Sequence, residues 1–258
     1  MTRVGFLGLG EAGSLIARDL AAAGAEVRGW DPLVPEAEGV ETTAGPAEVA
    51  EGAAVVVSVN SAHDAMDAVR SVAAVLEPGR LYADFNTAAP ARKREVAAAL
   101  APTGAAFADV ALLQSVPGRG LRTPALASGP GAAAFADLFG GWGMPVEVGT
   151  DEPGFAASRK LARSVFLKGM AAAAAEALAT GEALGCRDWL ATDLARTLAA
   201  VDADGFEHLV EGSRRHAVRR RDEMAAAVAM LEELGVAPRV SAASEAWLAE
   251  LARVRSGP

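Results

Sequence analysis

Residues 158–169, SRKLARSVFLKG, bring together side chains able to carry a proton or hold an anion: Lys160 and Lys168, with Arg163 and Ser164 between them. On a helix Lys160, Ser164 and Lys168 fall successively ~40° apart, and Arg163 lies ~60° to the other side. Leu161, Ala162, Val165, Phe166 and Met170 point in other directions, so one polar stripe runs along an otherwise apolar surface. The plain interpretation is the wet face of an amphipathic helix. The alternative is proton transfer. Moving a hydride to or from an alcohol carbon requires a second group for the hydroxyl proton, and a lysine serves when desolvation or nearby positive charge lowers its pKa. Lys168 stands ~12 Å further along the axis, too far to share that proton. It is assigned to a substrate phosphate or to structure. Ser164 is either a substrate-orienting hydroxyl or an ordinary helix-face residue.

The second chemical feature is Gly8-Leu9-Gly10-Glu11-Ala12-Gly13, lying between the strand-like RVGFL and the helix-like SLIARDLAAAG. Alone, GxGxxG is a weak signal. Between a strand and a helix it has a physical purpose: Gly8 for the tight turn, Gly10 for close approach of a pyrophosphate, Gly13 for strand–helix packing, and free N–H groups at the helix start. Asp31 closes the next strand, where its carboxylate can accept ribose hydroxyls and repel a 2'-phosphate. NAD is therefore the expected cofactor, with Arg28 earlier on the strand keeping NADP open.

Asn60 and Asn86-Thr87 each end a strand, where carboxyl ends line a ligand crevice; Thr87 is equally suited to capping the helix that begins at Pro90. SRRHAVRRR places Arg215, Arg219 and Glu223 on one helical line and His216 and Arg220 on the next. It is either a surface helix with Arg–Glu pairs or an anion pocket for a carboxylate or phosphate. His63 and His208 are expected at the surface. Cys186 is the single cysteine, so no intramolecular disulfide exists, and no metal-ligand constellation appears.

Elements must hold these groups in place. Strands and helices alternate with short links from residue 3 to about 150, which predicts a mainly parallel sheet covered on both faces. Beyond Gly154 strand signals cease. Helices are predicted over 156–184, 187–201, 203–234 and 241–254. The expected fold is α/β: a doubly wound Rossmann domain at 1–152, then an all-α domain at 153–258. The formal charge of -9 argues against nucleic acid or anionic membrane as partner. No apolar run reaches membrane-spanning length, and a cytoplasmic location is the simplest expectation.

Together, GFLGLGEAG, DFNTAAP and the glycine-led approach from Gly154 to Lys160 resemble the beta-hydroxyacid dehydrogenase superfamily over nearly the whole chain. Within it, KLARSVFLKGMAAAAAEAL and RRHAVRRRDEMAAAVAMLEELGVAP are similar to a 6-phosphogluconate dehydrogenase-like branch with an uncharacterised C-terminal domain. The resemblance implies a homodimer, a site between domains, and Lys160 as the proton-transfer group beside the nicotinamide. Gln114, Ser115, Arg163, Lys168, His216, Arg220 and Glu223 are the candidate substrate-binding residues, Glu223 because it falls near an acidic residue that approaches the active site in relatives. Two departures stand out. Asp109 to Ser115 read DVALLQS where the family holds a carboxylate with Ser-Gly-Gly, and Ser164 takes the place of a family asparagine. The expected function is hydride transfer between NAD and a small, anionic hydroxy or keto substrate. Imine reduction and a non-catalytic dinucleotide sensor are the alternatives.

Overall fold

The structure, a computed structural model, describes residues 1–61 and 63–255. Its first compact unit comprises residues 1–163 and its second residues 164–258.

The first unit is built on eight strands: β1 (Arg3–Leu7), β2 (Glu26–Trp30), β3 (Glu41–Thr42), β4 (Val55–Ser58), β5 (Leu81–Asp84), β6 (Ala106–Leu112), β7 (Ala125–Ser128) and β8 (Val146–Val148). They lie in the order β3-β2-β1-β4-β5-β6-β7-β8. Every neighbouring pair is parallel except β6 and β7, which run antiparallel. The expected mainly parallel α/β domain is thus present, and the strand order reverses direction between β1 and β4. In such sheets that reversal opens a crevice at the strands' carboxyl ends.

Alternation along the strands sorts side chains into two cores. Val4, Phe6, Val55, Val57, Ala83 and Phe85 pack with Ile16 and Leu20 of α1 (Glu11–Ala22) and with Phe135 and Phe139 of α5 (Ala132–Gly141). On the opposite face Leu7, Val56 and Tyr82 meet Val49 of α2 (Pro46–Ala50), Val69 of α3 (Ala65–Val72) and Val96 of α4 (Pro90–Leu100). α3 ends earlier than the apolar pattern to Leu76 suggests, and the two-residue β3 is too short to announce itself in sequence.

α6 (Phe155–Ala183) leaves the first unit in its early turns and continues into the second. The second unit adds α7 (Arg187–Ala199), α8 (Ala203–Arg215), α9 (Ala217–Glu233) and α10 (Arg239–Arg255). Glu176 of α6 caps α10: Oε2 accepts the Val240 N–H, and Oε1 accepts both the N–H and the hydroxyl of Ser241. The helix expected over 203–234 is a correction. It breaks at His216, whose φ of -112° and ψ of 28° leave the α region. Arg220 folds back over Gly212 and donates to the Ser213 hydroxyl and to the Leu209 carbonyl, tying α9 to α8. Arg215 and Arg219 consequently belong to different helices and share no helical line. Among the described residues no helix is long and apolar enough to cross a membrane.

Candidate active site

The turn from β1 to α1 is shaped by its glycines. Gly8 has a φ of 104°, a conformation that side chains oppose. Gly13 packs so tightly that an added Cβ would stand 2.2 Å from the Gly8 carbonyl oxygen. Gly10 differs: a Cβ there would meet nothing within 4 Å. Gly10 is also the N-cap of α1 and no side chain caps the helix, so its first N–H groups face open space. Leu9 turns inward. Its side chain is buried, and its N–H donates to Asp31 Oδ2 at 2.8 Å. Asp31 Oδ1 accepts the Leu33 N–H at 2.8 Å, so this carboxylate clamps the glycine turn to the segment after β2.

A cleft of about 590 Å³ lies along this turn, lined among others by Gly10, Glu11, Ala12, Asp31, Asn60, Thr87, Gln114 and Lys160. Phe85, Leu112 and Val116 supply its apolar wall. Its position is the switch point between β1 and β4. The space above Gly10, the uncapped helix start and the Asp31 carboxylate suit the pyrophosphate and ribose of a dinucleotide.

At the other end of the cleft, Lys160 Nζ donates to Thr87 Oγ1 at 2.9 Å. Ala89 is the N-cap of α4, without any side-chain cap bond, so Thr87 faces Lys160 instead of capping the helix. Lys160 is half-buried. Burial first, and then the Lys93 ammonium, lower its proton affinity below the usual lysine range, while Asp109 acts in the opposite sense. Arg163 is held by the Leu113 carbonyl at the end of β6.

The remaining predicted residues have other surroundings. Asn86 is buried: its Oδ1 accepts the Asn60 N–H, and its Nδ2 donates to Ser58 Oγ at 2.9 Å. It laces the ends of β4 and β5 together and also lines a small space beside Thr87 and Lys160. Ser115 is exposed and outside the lining. Ser164, Lys168, His216, Arg220 and Glu223 belong to the second unit. Lys168 and Glu223 are exposed there, and Arg220 is occupied by Ser213.

Sequence reasoning missed the buried group beneath Lys160. Lys93, Asp84 and Asp109 are all 1% exposed or less. Asp109 Oδ2 accepts the N–H groups of Gly154 and Ala157 at 3.1 and 3.0 Å, anchoring the start of α6. Ser128 Oγ supports it and accepts the Ala156 N–H. The available signal was Lys93 itself, which shares the buried stripe of α4 with Val96 and Leu100.

The fold and this cleft define a nicotinamide-dinucleotide-binding α/β domain followed by helices, the plan of an NAD(P)-dependent oxidoreductase. Residues 3–119 match the family model for the NAD binding domain of 6-phosphogluconate dehydrogenase, and residues 182–251 match a domain of unknown function, DUF1932. Both matches agree with the resemblance to the beta-hydroxyacid dehydrogenase superfamily, on its 6-phosphogluconate dehydrogenase-like side. Among solved structures it is similar to a conserved hypothetical protein from Sinorhizobium meliloti 1021, with 29% identity over 96% of this chain and 88% of that one and a TM-score of 0.63. It is also similar to a conserved protein of unknown function that shows structural similarity with 3-hydroxyacid dehydrogenases (28% identity, 98% of both chains, TM-score 0.62). An imine reductase from Myxococcus stipitatus in complex with NADP+ shares the fold, at 17% identity over 98% of this chain and 95% of that one, with a TM-score of 0.86. No curated protein matches the chain.

Proposed function

We propose that this chain is an NAD-dependent oxidoreductase acting on a small hydroxy or keto compound, with Lys160 as its general acid and base. The observation that carries the proposal is the Lys160–Thr87 contact at one end of a cleft whose other end is the glycine turn. A bound nicotinamide dinucleotide supplies or accepts the hydride. In the oxidative direction, neutral Lys160 takes the hydroxyl proton as the carbon gives up its hydride; in the reductive direction, the Lys160 ammonium returns that proton to the carbonyl oxygen. Thr87 accepts a hydrogen bond from Lys160, and its own hydroxyl hydrogen is then free to orient the substrate oxygen. Lowered proton affinity allows the lysine to act as a base nearer neutrality.

NAD is favoured over NADP by the charges around the ribose end. Asp31 and Glu11 line the cleft there, whereas Arg28 is engaged by Glu41 and Glu26. A 2'-phosphate would meet acids without a free arginine. Lys160 is the one cation among the lining residues, so an anionic group on the substrate would share it with the Gln114 amide. Residues 153–258 are taken as the substrate and dimerisation domain of a homodimer, which sedimentation of the purified chain tests.

A second reading, reduction of a C=N bond, is favoured by the apolar wall of Phe85, Leu112 and Val116 in the cleft and by Leu113-Gln114-Ser115 standing where the superfamily pattern has Ser-Gly-Gly. Lys160 would then protonate the nitrogen. Titration with NADH and NADPH, followed by turnover on hydroxy acids, keto acids and cyclic imines, separates the possibilities. Tighter NADH binding with turnover of keto acids supports the proposal. Cyclic-imine turnover favours the second reading, and cofactor binding without turnover on any of them favours a sensor.

A further inference from the structure

Only three of the 24 basic residues are lysines, at positions 93, 160 and 168. All the others are arginine, so the chain uses the ammonium group sparingly. Lys93 is 1% exposed and is the only buried cation among the described residues. Its ammonium donates a hydrogen bond to the Asp84 carbonyl at 2.8 Å and forms ion pairs with Asp109 Oδ1 at 3.1 Å and Asp84 Oδ2 at 3.3 Å. A planar guanidinium could not converge on these three points from one small centre. The two carboxylate oxygens have no hydrogen-bond partner, so the Lys93 charge is what offsets their burial.

Each carboxylate turns its second oxygen toward a segment carrying one member of the Lys160–Thr87 pair. Asp84 Oδ1 accepts the Asn86 N–H at 2.9 Å, immediately before Thr87. Asp109 Oδ2 accepts the N–H groups of Gly154 and Ala157, one turn before Lys160. The helices themselves abut: a Cβ on Gly154, whose φ is 95°, would stand 2.7 Å from the Pro90 carbonyl oxygen at the head of α4.

We propose that Lys93 is a positioning residue for proton transfer at Lys160, fixing Thr87 through Asp84 and the start of α6 through Asp109, and setting the electrostatic surroundings of that pair. The inference rests on Lys160 being the proton-transfer group. Burial pushes the Asp84 carboxyl up more strongly than Lys93 and the Asn86 N–H pull it down. The other charges around Lys160 are Glu11, Asp31 and Asp64 lining the cleft, and Arg159 and Arg163 on its own helix. Arg159 stacks on Phe155 and Arg163 is held by Leu113.

The test reads Lys160 directly. Reductive methylation with 13C-formaldehyde labels Lys160, Lys168 and the terminal amine, and Lys160→Met assigns the Lys160 signal. NMR titration of the full-length chain should show Lys93→Met raising the Lys160 midpoint and leaving Lys168 unmoved. Asp109→Asn should lower it, and the double variant should fall between the two. If Lys93→Met does not fold, adding it to Asp109→Asn must still raise the midpoint. Turnover of Lys93→Met at neutral pH should fall about 10- to 100-fold, the scale of a displaced catalytic group, with NADH affinity retained. An unmoved Lys160 midpoint in both backgrounds, alongside an inactive Lys160→Met, overturns this inference alone. A fully active Lys160→Met removes the underlying proposal, and this inference with it.

Discussion

Two alanines in one glycine turn should have opposite consequences. In Gly13→Ala the new methyl would lie 2.2 Å from the Gly8 carbonyl oxygen and 2.9 Å from Val59 Cγ1. Backbone cannot rotate away as a side chain can, so α1 must lift from β1 and β4. Overpacking of this kind costs about 1–3 kcal/mol, which for a chain of this size lowers Tm by roughly 2–12 °C. In Gly10→Ala the methyl meets nothing within 4 Å, and φ of -63° with ψ of -169° suits alanine. Its stability cost is confined to the N-cap preference, no more than about 1 kcal/mol. The methyl instead occupies the approach of the pyrophosphate. Loss of one charge-assisted hydrogen bond there, worth about 1.5–3 kcal/mol, weakens binding by about 10- to 100-fold. Differential scanning fluorimetry gives the first quantity and NADH fluorescence titration the second. Gly10→Ala binding NADH as tightly as the native chain would refute the placement of the pyrophosphate. Gly13→Ala melting at the native temperature would refute the packing argument.

Other perturbations separate structure from chemistry. Glu176→Gln should cost about 1 kcal/mol at pH 7 by weakening the cap on α10. Burial pushes the Glu176 carboxyl up, but the bonds from Ser241, Val240 and Arg239 outweigh it and hold it below the usual range. A carboxylate depressed on folding stabilises above its unfolded pKa and loses that contribution as pH falls through its folded one. The melting difference between Glu176→Gln and the native chain should therefore close on acidification; a constant gap would show that the cap acts through shape alone. Asp31→Asn should narrow the preference for NADH over NADPH by about tenfold, as expected for one charge-assisted hydrogen bond. An unchanged ratio of dissociation constants would leave Asp31 only its contacts with Leu9 and Leu33. In the oxidative direction turnover should rise with pH to a plateau beginning below the ordinary lysine range, because Lys160 must be neutral to accept the proton. A rate that falls over that interval would assign the base elsewhere.

Local pattern revealed the frame and concealed the cross-links. RVGFLGLGEAG carries its own instructions: an apolar strand, glycines where a side chain would collide, then helix formers. The strand-ending positions of Asp31 and Thr87 and the passage of Lys160 close to the sheet follow from alternation and from the loss of strand signals after Gly154. That Asn86 also joins β4 to β5 was not legible, because its partners Asn60 and Ser58 lie 26 and 28 residues away in sequence. The break at His216 has no proline to mark it. It depends on Arg220 lying over Gly212, a contact that exists only once the helices have docked. Lys93 was hidden for a similar reason. ARKREV looks like a wet helix face, and only the shared spacing of Lys93, Val96 and Leu100 hints that one cation points inward. Its partners Asp84 and Asp109 sit in separate strands, joined by sheet topology.

The decisive question is whether the nitrogen of Lys160 moves the proton. Single-turnover oxidation of NADH by substrate, followed by absorbance with the native chain and Lys160→Met at matched cofactor saturation, measures that directly. NADH affinity should be equal in both, and the chemical step should be slowed about 10²- to 10⁴-fold in the variant, the range for loss of a general acid. Equal rates in the two proteins would contradict proton transfer by Lys160.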